Sequence, residues 1–267
     1  MTSDSAPTTD LVENLRGIGF RSPREALAAF LTHAHKNRIG PSETIEQLLA
    51  IERRARDATN LARRTRAAAL GAFKSIDRFD WNHPRKIDRA LIERLLGLDF
   101  VEQGDNVLFR GPSGVGKSML AKALGLAALE RGFSVRFSTL AAALADLLAQ
   151  ESLPAFERRL KRYLQPDLLI LDELGYLPCD SRAADLLYNI VSRRHENKSI
   201  VMTTNLSFKQ WGSVFPGAAC VVALVDRFAQ HCHRIDIDAE SWRDAHNFDR
   251  EPARSPAPPR RKSAAKA

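Results

Sequence analysis

The chain has 267 residues, of which 44% are hydrophobic, and a net charge of +8, so it can form one large domain or a core domain with a small appendage. No apolar run approaches the ~20 residues that span a bilayer, and no secretory signal opens the sequence. The cysteines, Cys179, Cys220 and Cys232, show no paired spacing, which is typical of a reducing compartment. We therefore expect a cytoplasmic protein with no membrane partner.

The N-terminal quarter favours helices. Residues 1–10 are short and polar and are predicted to be disordered, and residues 11–73 are predicted to form a small all-helical domain that binds DNA or a partner. Ser22 and Pro23 predict a helix start, with a capping serine followed by proline at the first helical position. Gly40 and Pro41 interrupt the pattern before the next helix begins.

A run of arginines follows in this helical region. Between residues 53 and 66 there are six arginines and one acid. On a helix, four of them share roughly a third of the circumference: Arg53, Arg56, Arg63 and Arg64. Such a basic stripe is typical of a protein that binds the phosphate backbone of DNA, but it is equally compatible with a solvated helix face.

Residues 74–249 are predicted to form the main domain, which opens with a bridging segment up to residue 104. Phe79 and Trp81 lie in this segment, upstream of a glycine-rich loop. These aromatic side chains could line the base pocket of a nucleotide, and core packing would explain them equally well.

The glycine-rich loop is a phosphate-binding motif. It lies between a predicted strand over residues 106–110 and a predicted helix, and it consists of Gly111, Pro112, Ser113, Gly114, Val115, Gly116, Lys117 and Ser118. Backbone N–H groups of such a loop surround phosphate oxygens, and the helix N-terminus adds its positive dipole. Lys117 is predicted to reach the β- and γ-phosphates and Ser118 to ligate Mg²⁺, so ATP and Mg²⁺ are the expected cofactors.

Two acids end the next diagnostic strand. Residues 168–171 are a continuous apolar run followed by Asp172 and Glu173. A fully apolar strand suits a parallel sheet that is covered on both faces, with functional groups at its carboxyl end. Asp172 is predicted to hold Mg²⁺, and Glu173 to act as the general base for a water molecule, which favours hydrolysis over transfer to an acceptor.

A third strand ends at Asn205, which is placed to sense the γ-phosphate or the attacking water. Thr203 and Thr204 either share this task or are only strand-end residues, since β-branched residues favour strands. The alternation of strands and helices along the domain predicts an α/β fold with a mostly parallel, doubly wound sheet. Residues 250–267, which are rich in proline and basic residues, are predicted to be a disordered basic tail.

With these motifs in hand, residues from about 75 to 245 resemble the IstB-type ATPases that assist the transposases of two-gene insertion sequences. These AAA+ proteins are similar to DnaC-type helicase loaders. The resemblance is carried by the phosphate loop, by the stretch Leu-Ile-Leu-Asp-Glu-Leu-Gly-Tyr-Leu-Pro over residues 169–178, and by shorter matches at 204–208, 225–228 and 240–243.

The resemblance implies an AAA+ P-loop NTPase fold and two further catalytic arginines. Arg227 is similar to the arginine finger that reaches the γ-phosphate of a neighbouring subunit, and Arg243 to the second sensor, which contacts the phosphates in its own subunit. Both could instead be surface ion-pair partners. A finger that acts between subunits implies a homo-oligomer, either a ring or a helical filament.

The function that follows is an ATPase that assembles on double-stranded DNA and presents it to a transposase encoded by the same element. The alternative is a DnaC-like replicative helicase loader, whose partner is a helicase and whose preferred strand is single. A metabolic nucleotide kinase is disfavoured, because Glu173 and an arginine from a neighbouring subunit suit hydrolysis in an assembly.

Overall fold

A computed structural model describes residues 6–175 and 180–242. Its centre is a five-stranded sheet in which every pairing is parallel, in the order β2-β3-β4-β1-β5. The strands are β1 (Asn106–Arg110), β2 (Val135–Thr139), β3 (Leu168–Leu174), β4 (Ser199–Thr204) and β5 (Cys232–Asp236). The predicted parallel sheet is therefore confirmed, and β1 spans the predicted strand residue for residue.

Helices cover both faces of this sheet, which explains why its central strands are apolar without alternation. The helices that follow the N-terminal region are α4 (Arg89–Leu95), α5 (Asp99–Gln103), α6 (Lys117–Arg131), α7 (Leu140–Leu148), α8 (Leu153–Leu164), α9 (Ser181–Arg194), α10 (Trp211–Val214) and α11 (Val221–Ala229). One hydrophobic cluster joins α4, α5 and α6 to one face, and a second joins α7 to α11 to the other. The doubly wound arrangement is confirmed.

Three further helices precede this core: α1 (Ala6–Gly17), α2 (Arg24–Lys36) and α3 (Pro41–Ala68). Helix α3 contacts α2, and near its C-terminal end it packs on β2 and α6. Ala68 and the following Leu70 are buried in the same cluster as α6. The C-terminal part of α3 therefore belongs to the packing of the sheet, although the predicted division at residues 73 and 74 stays a prediction.

A buried arginine fixes the starts of β3 and β4. The Arg194 guanidinium is 1% exposed and donates hydrogen bonds of 2.7–3.1 Å to the carbonyl oxygens of Tyr163, Leu164, Pro166, Asp167 and Ser199. Burial lowers the pKa of Arg194 to about 9, so the side chain stays protonated at neutral pH. Because these carbonyls flank both strands, one charged group holds the strands side by side.

One prediction about the N-terminal region is wrong in detail. Helix α1 begins at Ala6, and the predicted division of the chain at residues 10 and 11 stays a prediction. Helix α2 begins at Arg24 with Pro23 as its N-cap residue and with no side-chain cap. Ser22 lies one residue before the N-cap position, and its hydroxyl donates a hydrogen bond to Glu52. The predicted tail at 250–267 lies outside the described residues.

Glu52 on α3 ties the three N-terminal helices together. Its side chain is 6% exposed and accepts hydrogen bonds from the Ser22 hydroxyl at 2.7 Å and from the Arg56 Nε at 2.6 Å. The backbone N–H groups of Arg21 and Ser22 also donate to it. Burial alone would raise the pKa of Glu52, but these hydrogen bonds outweigh it and lower the pKa from 4.5 to about 2.

We expect Glu52→Gln to lower the free energy of unfolding by about 1.5–3 kcal/mol at neutral pH, because charge-assisted hydrogen bonds are removed. The folded pKa lies below the unfolded one, so the wild-type contribution is complete above about pH 4.5 and is lost as the pH falls towards 2. Urea unfolding followed by circular dichroism measures both effects. Glu46→Gln changes an exposed glutamate of the same helix and is the control. Equal stability of the two variants would contradict this role of Glu52.

Candidate nucleotide site

The phosphate loop connects β1 to α6, as the sequence predicts. Gly116 is the N-cap residue of α6 and has a φ of +94°, a conformation that favours glycine. A Cβ atom at this position would lie 2.6 Å from Cε2 of Phe79. A side chain at residue 116 is therefore excluded twice, by the backbone conformation and by the ring that covers it.

Lys117 lies in the first turn of α6 and is 7% exposed. Its Nζ donates hydrogen bonds to the carbonyl oxygens of Gly111 at 2.8 Å and of Pro112 at 2.5 Å. These bonds hold the ammonium group across the loop. A phosphate bound by the loop would meet this charge and the N-terminus of α6 together.

Asp172, near the carboxyl end of β3, accepts two side-chain hydrogen bonds on the same oxygen. The Ser118 hydroxyl donates to Oδ1 at 2.8 Å and the Thr203 hydroxyl donates to it at 2.5 Å. Asp172 is 5% exposed. The structure thus brings together Ser118 and Asp172, the two predicted Mg²⁺ ligands, and it adds Thr203, which the sequence left undecided.

A β-bulge in β3 makes the side chains of Asp172 and Glu173 differ in their surroundings. Leu171 pairs with Met202 but Leu174 pairs with Thr204, so β3 carries one extra residue here. Glu173 has a φ of +66° and an exposed side chain, whereas Asp172 is buried. The Glu173 N–H donates to the Thr203 hydroxyl oxygen at 3.0 Å. The Thr203 hydroxyl therefore donates a hydrogen bond to the Asp172 carboxylate and accepts one from the backbone N–H of Glu173.

Ser118, Glu173 and Thr203 line a cavity of about 390 Å³, a size typical of small-molecule sites, with the buried Asp172 behind them. One side is formed by residues 113–119 of the loop and α6, together with Glu173 and Thr203. The other side comes from the linker, residues 69–88, and from Trp242; the linker residues are Lys74, Arg78, Phe79, Asp80 and His83. Phe79 thus lines the cavity, while Trp81 packs against its ring at 4.8 Å.

The linker cations were missed by the sequence analysis, because single lysine and arginine residues in an irregular segment carry no motif. Their position follows from two anchors. His83 Nε2 lies 2.9 Å from the Glu240 carbonyl oxygen, and its ring meets that of Trp242 edge-on at 4.9 Å. Lys86 and Asp238 exchange backbone hydrogen bonds of 2.9 and 3.2 Å. The segment after β5 therefore fastens the linker beside the phosphate loop.

Two predicted catalytic residues, Asn205 and Arg227, lie apart from the lining of this cavity. Asn205 follows β4 and is exposed, beside Gly175. Arg227, in the last turn of α11, donates a hydrogen bond to the Ser192 hydroxyl, and its guanidinium lies 5.0 Å from the centre of the Tyr188 ring. Arg243 lies outside the described residues. The preceding Trp242 donates its N–H to the Gly114 carbonyl at 3.3 Å, so the chain reaches the phosphate loop at that point.

The predicted basic stripe on α3 is divided by internal contacts. Arg53 and Arg63 are exposed, whereas Arg56 binds Glu52 and the Gly19 carbonyl. Arg64 is half-buried and donates to the Leu129 carbonyl at 3.1 Å. Among the described contacts, Arg53 and Arg63 are therefore the members of the stripe whose side chains make no internal hydrogen bond.

A second basic surface, which the sequence analysis did not single out, lies on α8. Arg158 and Arg162 are exposed there, and Arg159 lies 3.5 Å from Asp146. These arginines line one cavity with Gln150. The sequence could have indicated this surface, because the basic residues recur on one side of an amphipathic helix. The other side of α8 carries the buried residues Leu160 and Tyr163.

The donor set around Asp172 suits a hard cation. A carboxylate oxygen and a hydroxyl oxygen lie 2.8 Å apart at the base of the phosphate loop, and Mg²⁺ prefers oxygen ligands of this kind together with substrate phosphates. Ser118 and Asp172 are thus the residues that would hold the ion.

The described helices include none that is long and apolar enough to cross a membrane.

Comparison with known proteins is consistent with this geometry. Residues 14–249 match the model of a family described as IstB-like ATP binding protein. The "Insertion sequence IS21 putative ATP-binding protein" of Pseudomonas aeruginosa is 35% identical over 215 residues, which cover 80% of this chain and 81% of that protein. The corresponding IS232 protein of Bacillus thuringiensis subsp. berliner is 32% identical over 241 residues, 90% of this chain and 96% of that one.

Two solved structures show the same fold at low sequence identity. AMPPCP-bound DnaA from Aquifex aeolicus has a TM-score of 0.54 at 19% identity and covers 66% of this chain and 53% of that one. DnaI has a TM-score of 0.53 at 19% identity and covers 63% of this chain and 92% of that one. The expected AAA+ fold is therefore confirmed.

For a site that hydrolyses ATP, as proposed for this one, we expect Thr203→Val to lower the turnover rate by about tenfold or more while nucleotide affinity changes little, because one charge-assisted hydrogen bond is worth about 1.5–3 kcal/mol. The valine keeps the branched shape but removes the hydroxyl that joins Asp172 to the Glu173 N–H. Thr203→Ser retains the hydroxyl and is the control. Equal phosphate release by the valine and serine variants would contradict a role for this hydroxyl.

Proposed function

This chain belongs to the IstB-like ATP-binding protein family, and from that premise we propose that it is an ATPase that assembles on duplex DNA and presents it to a transposase. The single observation that carries the enzymatic part is the buried Asp172, which binds Ser118 and Thr203; these two residues line the phosphate-loop cavity together with an exposed Glu173. The hypotheses on catalysis, assembly and DNA rest on separate features.

For ATP binding, the loop amides and the N-terminus of α6 receive the phosphates. Lys117 exchanges its bonds to the Gly111 and Pro112 carbonyls for bonds to phosphate oxygens. This exchange keeps the ammonium group solvated by oxygen in both states. Phe79, which covers Gly116, offers an apolar wall for the rest of the nucleotide.

For hydrolysis, Glu173 accepts a proton from a water molecule whose oxygen attacks the γ-phosphorus, as the bond from that phosphorus to the β–γ bridging oxygen breaks. The bulge in β3 supports this role, because it aims Glu173 into the cavity while Asp172 stays at the loop. Mg²⁺, held by Ser118 and Asp172, would supply positive charge for the phosphate oxygens. Asn205 and Arg243 are proposed as sensors of the phosphate chain.

For assembly, the position of Arg227 is the supporting observation. Within the described residues, its side chain contacts Tyr188 and Ser192 and does not line the cavity of its own subunit. A role in catalysis therefore requires the site of a neighbouring subunit, as in enzymes whose arginine finger is supplied by a partner. A ring or a helical filament would bring the two surfaces together.

For DNA binding, two exposed basic surfaces are available, one on α3 with Arg53 and Arg63 and one on α8 with Arg158 and Arg162. The net charge of +8 also favours association with a polyanion. Contacts of this kind meet phosphates rather than bases, so affinity falls with salt and depends little on sequence. The transposase partner is proposed because relatives at 35% and 32% identity are named as insertion-sequence proteins.

We expect the protein to co-sediment with long duplex DNA in the presence of ATP and not of ADP, because assembly depends on the γ-phosphate. Lys117→Ala abolishes this co-sedimentation, since the loop no longer carries its charge. Arg227→Ala is expected to keep nucleotide binding and to lower ATP hydrolysis by a factor on the order of 10³, the range for arginine fingers.

The matched control for this experiment is Arg193→Ala, a neighbouring arginine that pairs with Glu157 on the surface. Co-sedimentation that is indifferent to nucleotide would sink the proposed mechanism. Binding confined to single-stranded DNA would instead favour the helicase-loader alternative.

The two basic surfaces can be separated by charge removal. We expect Arg158→Ala/Arg162→Ala and Arg53→Ala/Arg63→Ala each to weaken duplex binding and to make it less dependent on salt. The slope of log affinity against log salt concentration should fall by about one for each DNA phosphate that the variant no longer neutralises. Fluorescence anisotropy at several salt concentrations measures this slope. Arg89→Ala removes an exposed arginine that pairs with Glu93, and it should leave the slope unchanged. A surface whose double variant matches Arg89→Ala does not contact DNA.

A further inference from the structure

The linker contributes two cations to the nucleotide cavity. Lys74 and Arg78 are exposed and line the cavity together with the phosphate loop. Neither side chain takes part in a hydrogen bond or ion pair within residues 6–175 and 180–242. Among acids, Asp80 and Glu173 line the same cavity. Asp80 already accepts the N–H of Asn82 at 2.9 Å.

Apolar residues next to these cations pack against the core. Ile76 begins a 3-10 turn over Ile76–Arg78, Phe79 follows this turn, and both are partly buried against the core. The Phe79 ring covers Gly116, and the ring of Phe73 lies 6.0 Å from Nζ of Lys122, which also lies 4.4 Å from the Phe137 ring. The apolar residues of the linker thus face α6, which leaves Lys74 and Arg78 at the mouth of the cavity.

We propose that Lys74 and Arg78 bind the phosphate chain of the nucleotide from the linker side, so that nucleotide binding fixes the linker on the phosphate loop. This inference rests on the proposed function, since it assigns residues to the same ATP site. A triphosphate carries several negative charges, of which Lys117 can meet only part. Lysine and arginine contacts to phosphate oxygens are strong because both partners are charged.

The linker also continues directly from α3, so its position bears on the N-terminal helices. Ala69 takes a left-handed φ of +56° immediately after α3, and Ala68 and Leu70 on either side of it are buried. A nucleotide that binds Arg78 and Lys74 therefore adds contacts to a segment that begins at the end of α3 and lies beside the phosphate loop. Nucleotide binding is thus expected to reduce the motion of the linker.

The test measures the affinities of ATP and ADP by titration calorimetry in wild type, Arg78→Gln, Lys74→Gln and Arg78→Lys. We expect each glutamine variant to weaken both nucleotides by about tenfold, and Arg78→Lys to stay close to wild type because it keeps the charge. Lys86→Gln removes an exposed linker charge that does not line the cavity, and it is the matched control.

Hydrogen exchange of the linker amides gives a second readout. ATP is expected to slow exchange over residues 69–83 in wild type and in Lys86→Gln, and to slow it less in Arg78→Gln. Glutamine variants that bind ATP as tightly as wild type would overturn the inference while the proposed function stands. Wild-type protein that fails to bind ATP, as Lys117→Ala is expected to fail, would overturn the proposed function itself.

Discussion

Backbone hydrogen bonding between β3 and β4 sets the position of the acidic and hydroxyl groups in the nucleotide cavity. The two strands run parallel and in register up to Leu171 and Met202, and the extra residue follows at once. Without that residue, Asp172 and Glu173 would simply alternate across the sheet. With it, Asp172 stays buried against Ser118 and Glu173 turns into the cavity, while Thr203 on the neighbouring strand contacts both. Glu173 has a positive φ, which is a strained backbone conformation for a non-glycine residue, and it lies where the chemistry is proposed.

The sequence was sufficient for the elements whose signals are local. The apolar runs of β1 and β3 and the phosphate loop between β1 and α6 lie where they were predicted, because a continuous apolar strand followed by a glycine-rich turn has few alternative structures. The pairing of Ser118 with Asp172 could also be anticipated, since both follow from the motif. The role of Thr203 could not be predicted, because it depends on the register between β3 and β4. Its partner Glu173 lies 30 residues away in the sequence.

Tertiary contacts explain the predictions that went wrong or were not made. Ser22 had the local signal of a helix cap, but the helix begins one residue later, with Pro23 as its N-cap, and the Ser22 hydroxyl donates to the buried Glu52 carboxylate on α3. The stripe on α3 was a correct helical pattern, yet Arg64 turns towards a carbonyl at the end of α6, which periodicity cannot reveal. Lys74 and Arg78 belong to the cavity only because Phe79 and His83 anchor an otherwise irregular segment.

The length of α3 determines how far a movement of the linker would be transmitted. The helix has 28 residues, and at about 1.5 Å per residue it extends over about 42 Å from its contact with β2 and α6. A lever of that length turns a small angular change at its base into a large displacement at its tip: a tilt of about 5° corresponds to a shift of about 4 Å over that span. Because the C-terminal end of α3 adjoins the linker, a small rearrangement around the phosphates would be magnified towards the N-terminal end of this helix.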